Sequence, residues 1–217
     1  VTVESTVLEV CVDSLASALA AEEGGAHRVE LCAAMGSGGI TPSYGLVRAV
    51  RSRLTIPVHV LVRPRPGDFV HSREELEIMK QDILAVRDLG ADGVVFGVLS
   101  RARSVDRAAV SRLMRAARPM SVTFHRAFDQ AADPETALRE LVRLGVERVL
   151  TTGGASSAFA GRKELRRLVG IAAGRISVMA GGGIERRTLR KLLEESAVRE
   201  VHVGSAAATK RGSGGGT

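Results

Sequence analysis

Two cysteines stand at matching places in two short apolar alternations, Leu8-Glu9-Val10-Cys11 and Val29-Glu30-Leu31-Cys32. Thiolates are soft donors that suit Cu(I), and two of them suffice to hold it. Inert packing of small buried thiols and redox chemistry are the other readings of the same pair. Each cysteine follows a glutamate two positions earlier, so Glu9 and Glu30 share the cysteines' face of an extended strand. Arg63 and His125 end two further apolar runs, Val58-His59-Val60-Leu61-Val62-Arg63 and Val122-Thr123-Phe124-His125. Two carboxyls, a guanidinium and an imidazole are the groups that acid–base work on a small anion requires. Arg126 and Asp129 follow His125, placed to orient that ring, to meet a ligand or to pair with each other. Gly181-Gly182-Gly183, between an apolar run and a helical pattern, offers backbone N–H groups to a phosphate or makes a tight turn.

These residues need a scaffold that brings distant strand ends together. A short apolar segment followed by a helical pattern recurs about eight times. Strands are predicted over Val7–Asp13, Arg28–Cys32, Pro57–Arg63, Gly93–Leu99, Ser121–Arg126, Arg148–Thr152, Arg175–Gly181 and Glu200–Gly204. Helices are predicted over Leu15–Glu23, Tyr44–Arg51, Glu74–Leu89, Arg107–Ala117, Pro134–Leu144, Arg162–Ala172 and Arg186–Glu194. Asp133-Pro134 and Thr41-Pro42-Ser43 read as helix starts, and Gly24, Gly90 and Gly145 as stops. Eight units without a dinucleotide fingerprint after the first strand predict an α/β fold, a single (β/α)8 TIM-type barrel over residues 1–217. After the eighth strand only a Gly/Ser-rich tail remains, 205–217, so the final helix is expected to be missing or incomplete.

Strand parity sorts the side chains. Leu8, Val10, Val12, Val29 and Leu31 face the helices, which leaves Glu9, Cys11, Asp13, Glu30, Cys32, His59, Leu61, Arg63, Thr123, His125, Ser177, Met179, His202 and Gly204 for the axis or the mouth. Barrel interiors are ordinarily aliphatic, so this polar lining is costly without a function. The chemistry of barrels sits at strand C-termini, which favours Cys11, Cys32, Arg63 and His125 over the deeper Glu9, His59 and His202. His27 and His71 lie between strands and are expected on the solvated surface.

The chain carries 31 Lys and Arg against 24 Asp and Glu, a net charge of +7. Most of the excess lies at helical spacing, as in Arg162, Lys163, Arg166 and Arg167, which predicts solvated helix faces and no nucleic-acid partner. With 3% aromatic residues and no Trp, a base-stacking platform is hard to build. No stretch approaches the ~18 apolar residues of a membrane span, and no signal peptide is evident, so a cytoplasmic address without membrane association is predicted.

Six separated strings resemble one family: Leu8-Glu9-Val10-Cys11, Arg28-Val29-Glu30-Leu31-Cys32, Gly38-Gly39-Ile40-Thr41-Pro42-Ser43, Arg63-Pro64-Arg65-Pro66-Gly67-Asp68-Phe69, Thr123-Phe124-His125-Arg126-Ala127-Phe128-Asp129 and Met179-Ala180-Gly181-Gly182-Gly183-Ile184. In order from about Val7 to His202, they are similar to the CutC family. The resemblance implies a β/α barrel that self-associates as a dimer or tetramer and serves cytosolic copper homeostasis. Pro66 stands where that family usually repeats Gly, and the segment after His202 matches only loosely. Two functions follow as expectations. One is Cu(I) binding by Cys11 and Cys32, with copper ion as the partner. The other is a barrel enzyme for a small anionic metabolite, phosphorylated or not, worked by Glu9, Glu30, Arg63 and His125, with Gly181, Gly182, Gly183, Arg126 and Asp129 at the ligand.

Overall fold

A computed structural model describes residues 6–204. Its strands are β1 (Val7–Val12), β2 (Arg28–Leu31), β3 (Val58–Leu61), β4 (Gly93–Phe96), β5 (Ser121–Phe124), β6 (Arg148–Thr151), β7 (Ser177–Gly181) and β8 (Glu200–Val203). All pair in parallel with their sequence neighbours, and β1 pairs with β8 to close the barrel. The helices are α1 (Leu15–Glu23), α2 (Tyr44–Arg51), α3 (Arg73–Asp88), α4 (Arg107–Ala117), α5 (Pro134–Leu144), α6 (Arg162–Ala172) and α7 (Arg186–Ser196). The expected barrel is therefore present. The predicted tail at 205–217, and with it the expected lack of a final helix, lies outside the described residues.

Local chemistry sets the helix ends. Ser43, Asp106 and Asp133 accept hydrogen bonds from first-turn N–H groups, and Ser72 forms a reciprocal capping box with Glu75. Gly145 ends α5 in the left-handed region, where a Cβ would be strained. The outward valines of β2, β3, β4 and β5 are fully buried under the helices. On β1, Leu8 and Val10 pack on the same core but stay partly exposed.

Most strands stop one to three residues before the predicted ends, and Cys32, Arg63 and His125 occupy released positions. Cys32 lies one residue past β2, where its N–H still reaches Val12 O at 2.9 Å. His125 lies one past β5 and opens a 3-10 turn, Arg126–Gln130. Arg63 lies two past β3. Freed from the ladder but anchored to it, these residues can bend over the barrel mouth.

Candidate functional site

The barrel axis is filled from the bottom by charge. Arg28 donates through Nε to Glu9 and, at 2.8 Å, through Nη2 to Glu200; Arg148 donates to the same Glu200 carboxylate. Ser177 Oγ adds a third contact to Glu200 at 2.6 Å. Arg28, Arg148 and Glu200 share the inward parity of Glu30, Leu150 and His202, and were absent from the interior set expected from the sequence. The signal was there, since each stands two residues before an inward position. A buried ionic group must be paired to be tolerated, and this plug is.

Above the plug, Glu9 is wholly buried and its Oε1 lies 2.7 Å from His202 Nδ1. Burial opposes its ionisation, but the hydrogen bond and charge of His202, with Arg28, hold its carboxyl well below the usual range. His202 is correspondingly raised: burial works against the imidazolium, while Glu30 and Glu9 outweigh it. Glu9 therefore stands behind the mouth as a support, whereas His202, expected to be deep, reaches the mouth itself.

Every imidazole of the interior rests on a glycine of the adjacent strand or its extension. A Cβ on Gly93 would lie 2.5 Å from the His59 ring, one on Gly97 2.5 Å from His125 Nδ1, and one on Gly181 3.2 Å from His202 Cβ. Small residues make the room in which the rings are held. Burial pushes His59 down to about 4 and His125 down to about 3, so both are neutral at physiological pH.

The mouth holds a cavity of about 310 Å³, lined among others by Cys11, Glu30, Cys32, Arg63, His125 and His202. The two sulfurs lie 3.5 Å apart, and Cys11 Sγ lies 3.8 Å from Glu30 Oε1. Cys32 packs with Leu61 and Val95, against which Cys11 and Met35 also lie. Sequence reasoning passed over Met35, although it follows Cys32 by three residues and adds a soft thioether to the wall. Cys11 is pushed far above the usual thiol range by its hydrogen bond with Cys32, by burial and by the Glu30 charge. Burial, reinforced by Glu9, brings Glu30 up to about 7 against the pull of His202 and Arg28.

Arg63 differs most from an anion clamp. Nη1 donates to the carbonyls of Gly38 and Gly39 and Nη2 to Gly67 O, so the guanidinium ties the β2–α2 loop to the β3–α3 loop. Only Nε lacks a partner. Phe69 lies between this group and His125, its centroid 5.0 Å from Arg63 Cζ and 4.8 Å from the imidazole, to which its ring is tilted by 55°. His125 Nδ1 accepts from the Ala127 N–H, which leaves Nε2 carrying the ring proton, buried and unpartnered.

Asp129 does not face the cavity. Its carboxylate accepts from Thr151 Oγ1, from Thr152 N at 3.1 Å and from Gly154 N at 3.4 Å, and pairs with Arg126 Nε at 3.0 Å. The N–H cradle after β6 is thus filled by the protein's own carboxylate. Arg126 lines the cavity rim. Gly182 and Gly183 take left-handed backbone and form the turn after β7, where a Cβ on Gly182 would meet Thr152 at 2.7 Å. Gly181 is spent on making room for Leu150 and His202.

His27 is exposed, as expected, and accepts from Leu8 N. His71 is the correction: its side chain is fully buried, 3.5 Å from Glu75, because Arg65 draws the β3–α3 loop onto α3 through Glu75, Asp68 and Val70 O. Burial lowers its basicity. Among the described residues no helix is long and apolar enough to cross a membrane.

The family model described as the CutC family matches residues 6–207. A copper homeostasis protein cutC homolog of Homo sapiens is 50% identical over 196 residues, covering 90% of this chain and 72% of that protein. A CutC family protein of Xanthomonas axonopodis pv. citri is 49% identical over 195 residues, with 90% and 81% covered. A crystal structure of CutC from Streptococcus agalactiae superposes with a TM-score of 0.87 at 33% identity, over 91% of this chain and 98% of that one.

Proposed function

Because the chain belongs to the CutC family, we propose that it serves copper homeostasis by holding Cu(I) on the thiolates of Cys11 and Cys32 at the barrel mouth. The observation that carries this reading is the 3.5 Å separation of two free thiols on one cavity wall. Soft donors in an apolar surround favour a soft monovalent ion, and Met35 extends the same chemistry. The reading calls for a reducing compartment, the cytoplasm, where both thiols stay free. It also carries the family expectation of a homo-oligomer. The test is competition for Cu(I) against a chelator under anaerobic reducing conditions, with wild type beside Cys11→Ser and Cys32→Ser. Tight binding that either substitution abolishes supports the reading; binding indifferent to both overturns it.

A second reading rests on a different observation. Glu30 Oε2, Arg63 Nε and His125 Nε2 are buried around this cavity with no hydrogen-bond partner. Unpaired buried donors and acceptors are costly; one small oxygen-rich anion would accept from Arg63 Nε and His125 Nε2, and from Glu30 when its carboxyl carries a proton. In this reading the barrel is an enzyme in which His125 donates a hydrogen bond and Glu30, with its carboxyl near neutrality, moves a proton. A thermal-shift screen with small carboxylates and phosphate esters checks it. A shift that His125→Ala removes supports the reading, and no shift with any of them sinks it.

A further inference from the structure

We propose that His202 is a third ligand to the metal held by Cys11 and Cys32, with Glu9 as the residue that aims its ring. This goes beyond the two-thiolate reading and rests on it.

Four observations converge. First, donor atoms of Cys11, Glu30 and His202 all lie within 4.8 Å of one another, a span that one ion can bridge. Second, the sulfurs are close. A linear arrangement would hold them two metal–sulfur bonds apart, ~4.6 Å on the scale of a ~2.3 Å thiolate–zinc bond, whereas they stand at 3.5 Å. A bent pair leaves one side of the ion open, and His202 and Glu30 line the same cavity.

Third, the ring of His202 is positioned as ligand imidazoles are. Its Nδ1 is engaged by Glu9 Oε1 at 2.7 Å, which leaves Nε2 as the nitrogen available to a metal. A carboxylate behind a histidine fixes tautomer and orientation and raises the basicity of the other nitrogen. Glu9 is itself held by Arg28, and the glycine at position 181 lets the His202 ring lie against β7. Fourth, the residues come from β1, β2 and β8, so the site straddles the seam where the barrel closes. Between the two further donors, softness decides: imidazole suits copper better than a carboxylate does.

The test is X-ray absorption of the Cu(I)-loaded protein together with chelator competition, on wild type, His202→Ala, His202→Gln, Glu9→Gln, Cys11→Ser and Cys32→Ser. The wild type is expected to show a three-coordinate near-edge and the outer-shell scattering of an imidazole. His202→Ala is expected to keep the ion but convert the edge to the two-coordinate form, losing roughly tenfold or more in affinity. Glu9→Gln is expected to lose about tenfold, the scale on which outer-shell partners act. A two-coordinate wild-type spectrum without imidazole scattering overturns the proposal, and needs no variant to fold. If both His202 variants keep wild-type affinity and edge while both serine variants lose the ion, the thiolate pair stands and the third ligand falls. If the serine variants bind as wild type does, the thiolate reading fails and takes this inference with it.

Discussion

His202 Nδ1 and Glu9 Oε1 lie 2.7 Å apart, joining the last strand to the first across the seam of the barrel. Glu9 also receives Arg28 from β2, so one carboxylate links three strands. Glu9→Ala takes the hydrogen-bonded carboxylate from the buried His202 imidazole and one of its two carboxylate partners from Arg28. A loss of about 3–5 kcal/mol is expected, the scale of a broken buried pair, and urea unfolding measures it. Glu9→Gln, which keeps the shape, should lose less. An unchanged midpoint for the alanine variant would mean that the seam owes its stability to packing.

The pH dependence of stability should carry the mark of Glu30, whose carboxyl is brought up to about 7 from an ordinary 4.5, first by burial and then by the charge of Glu9. With the folded value raised, the folded state holds the proton more tightly. The contribution to stability is complete below about pH 4.5 and is lost as pH rises through 7. Glu30→Gln mimics the protonated form. It should match wild type at pH 4 and exceed it at pH 8 by on the order of 1–3 kcal/mol, taking 1.36 kcal/mol per pKa unit as an upper scale. Equal stability of the two proteins across that range would sink the assignment.

Cys11 should be a sluggish nucleophile for an accessible thiol, since the contact with Cys32, burial and Glu30 all oppose the thiolate. Alkylation by iodoacetamide at pH 7, followed by mass spectrometry, should run at least roughly tenfold slower than in urea, where all three effects vanish. Cys32, 1% exposed, should be labelled only after unfolding. Rapid labelling of Cys11 in the native protein would contradict the proposed microenvironment.

Gly97 should not accept a methyl group. A Cβ there would come within 2.5 Å of His125 Nδ1 and 2.9 Å of the Ala127 side chain, on a ring already packed against Phe69. Gly97→Ala is expected to cost about 1–3 kcal/mol by overpacking and to displace His125 from the cavity. Chemical denaturation reads the first effect, and the histidine resonances in NMR read the second. A variant with wild-type stability and unmoved His125 signals would refute this.

Much of the architecture was legible because strands and helices are written in local periods. Val58, Val60 and Val62 alternate with His59, Leu61 and Arg63, and two-residue alternation dictates which face a side chain takes whatever the rest of the chain does. The same logic put Cys11, Glu30, Cys32 and His125 on the axis before any fold was known. Even the missed Arg28, Arg148 and Glu200 obeyed it, standing two residues before inward positions at the strand starts, where charge is easily taken for surface.

What the sequence could not determine was partnership. Arg63 offers five donors to any acceptor, and only the meeting of two loops commits most of them to the carbonyls of Gly38, Gly39 and Gly67. Asp129 fills an N–H cradle contributed by another strand, and His71 is buried by a loop that Arg65 pulls inward. His202 meets Glu9 only because eight strands close with one register. Parity depends on residues one or two positions apart, and so the sequence alone determines it. Contact depends on register and loop path summed over the whole barrel, which only the tertiary structure decides.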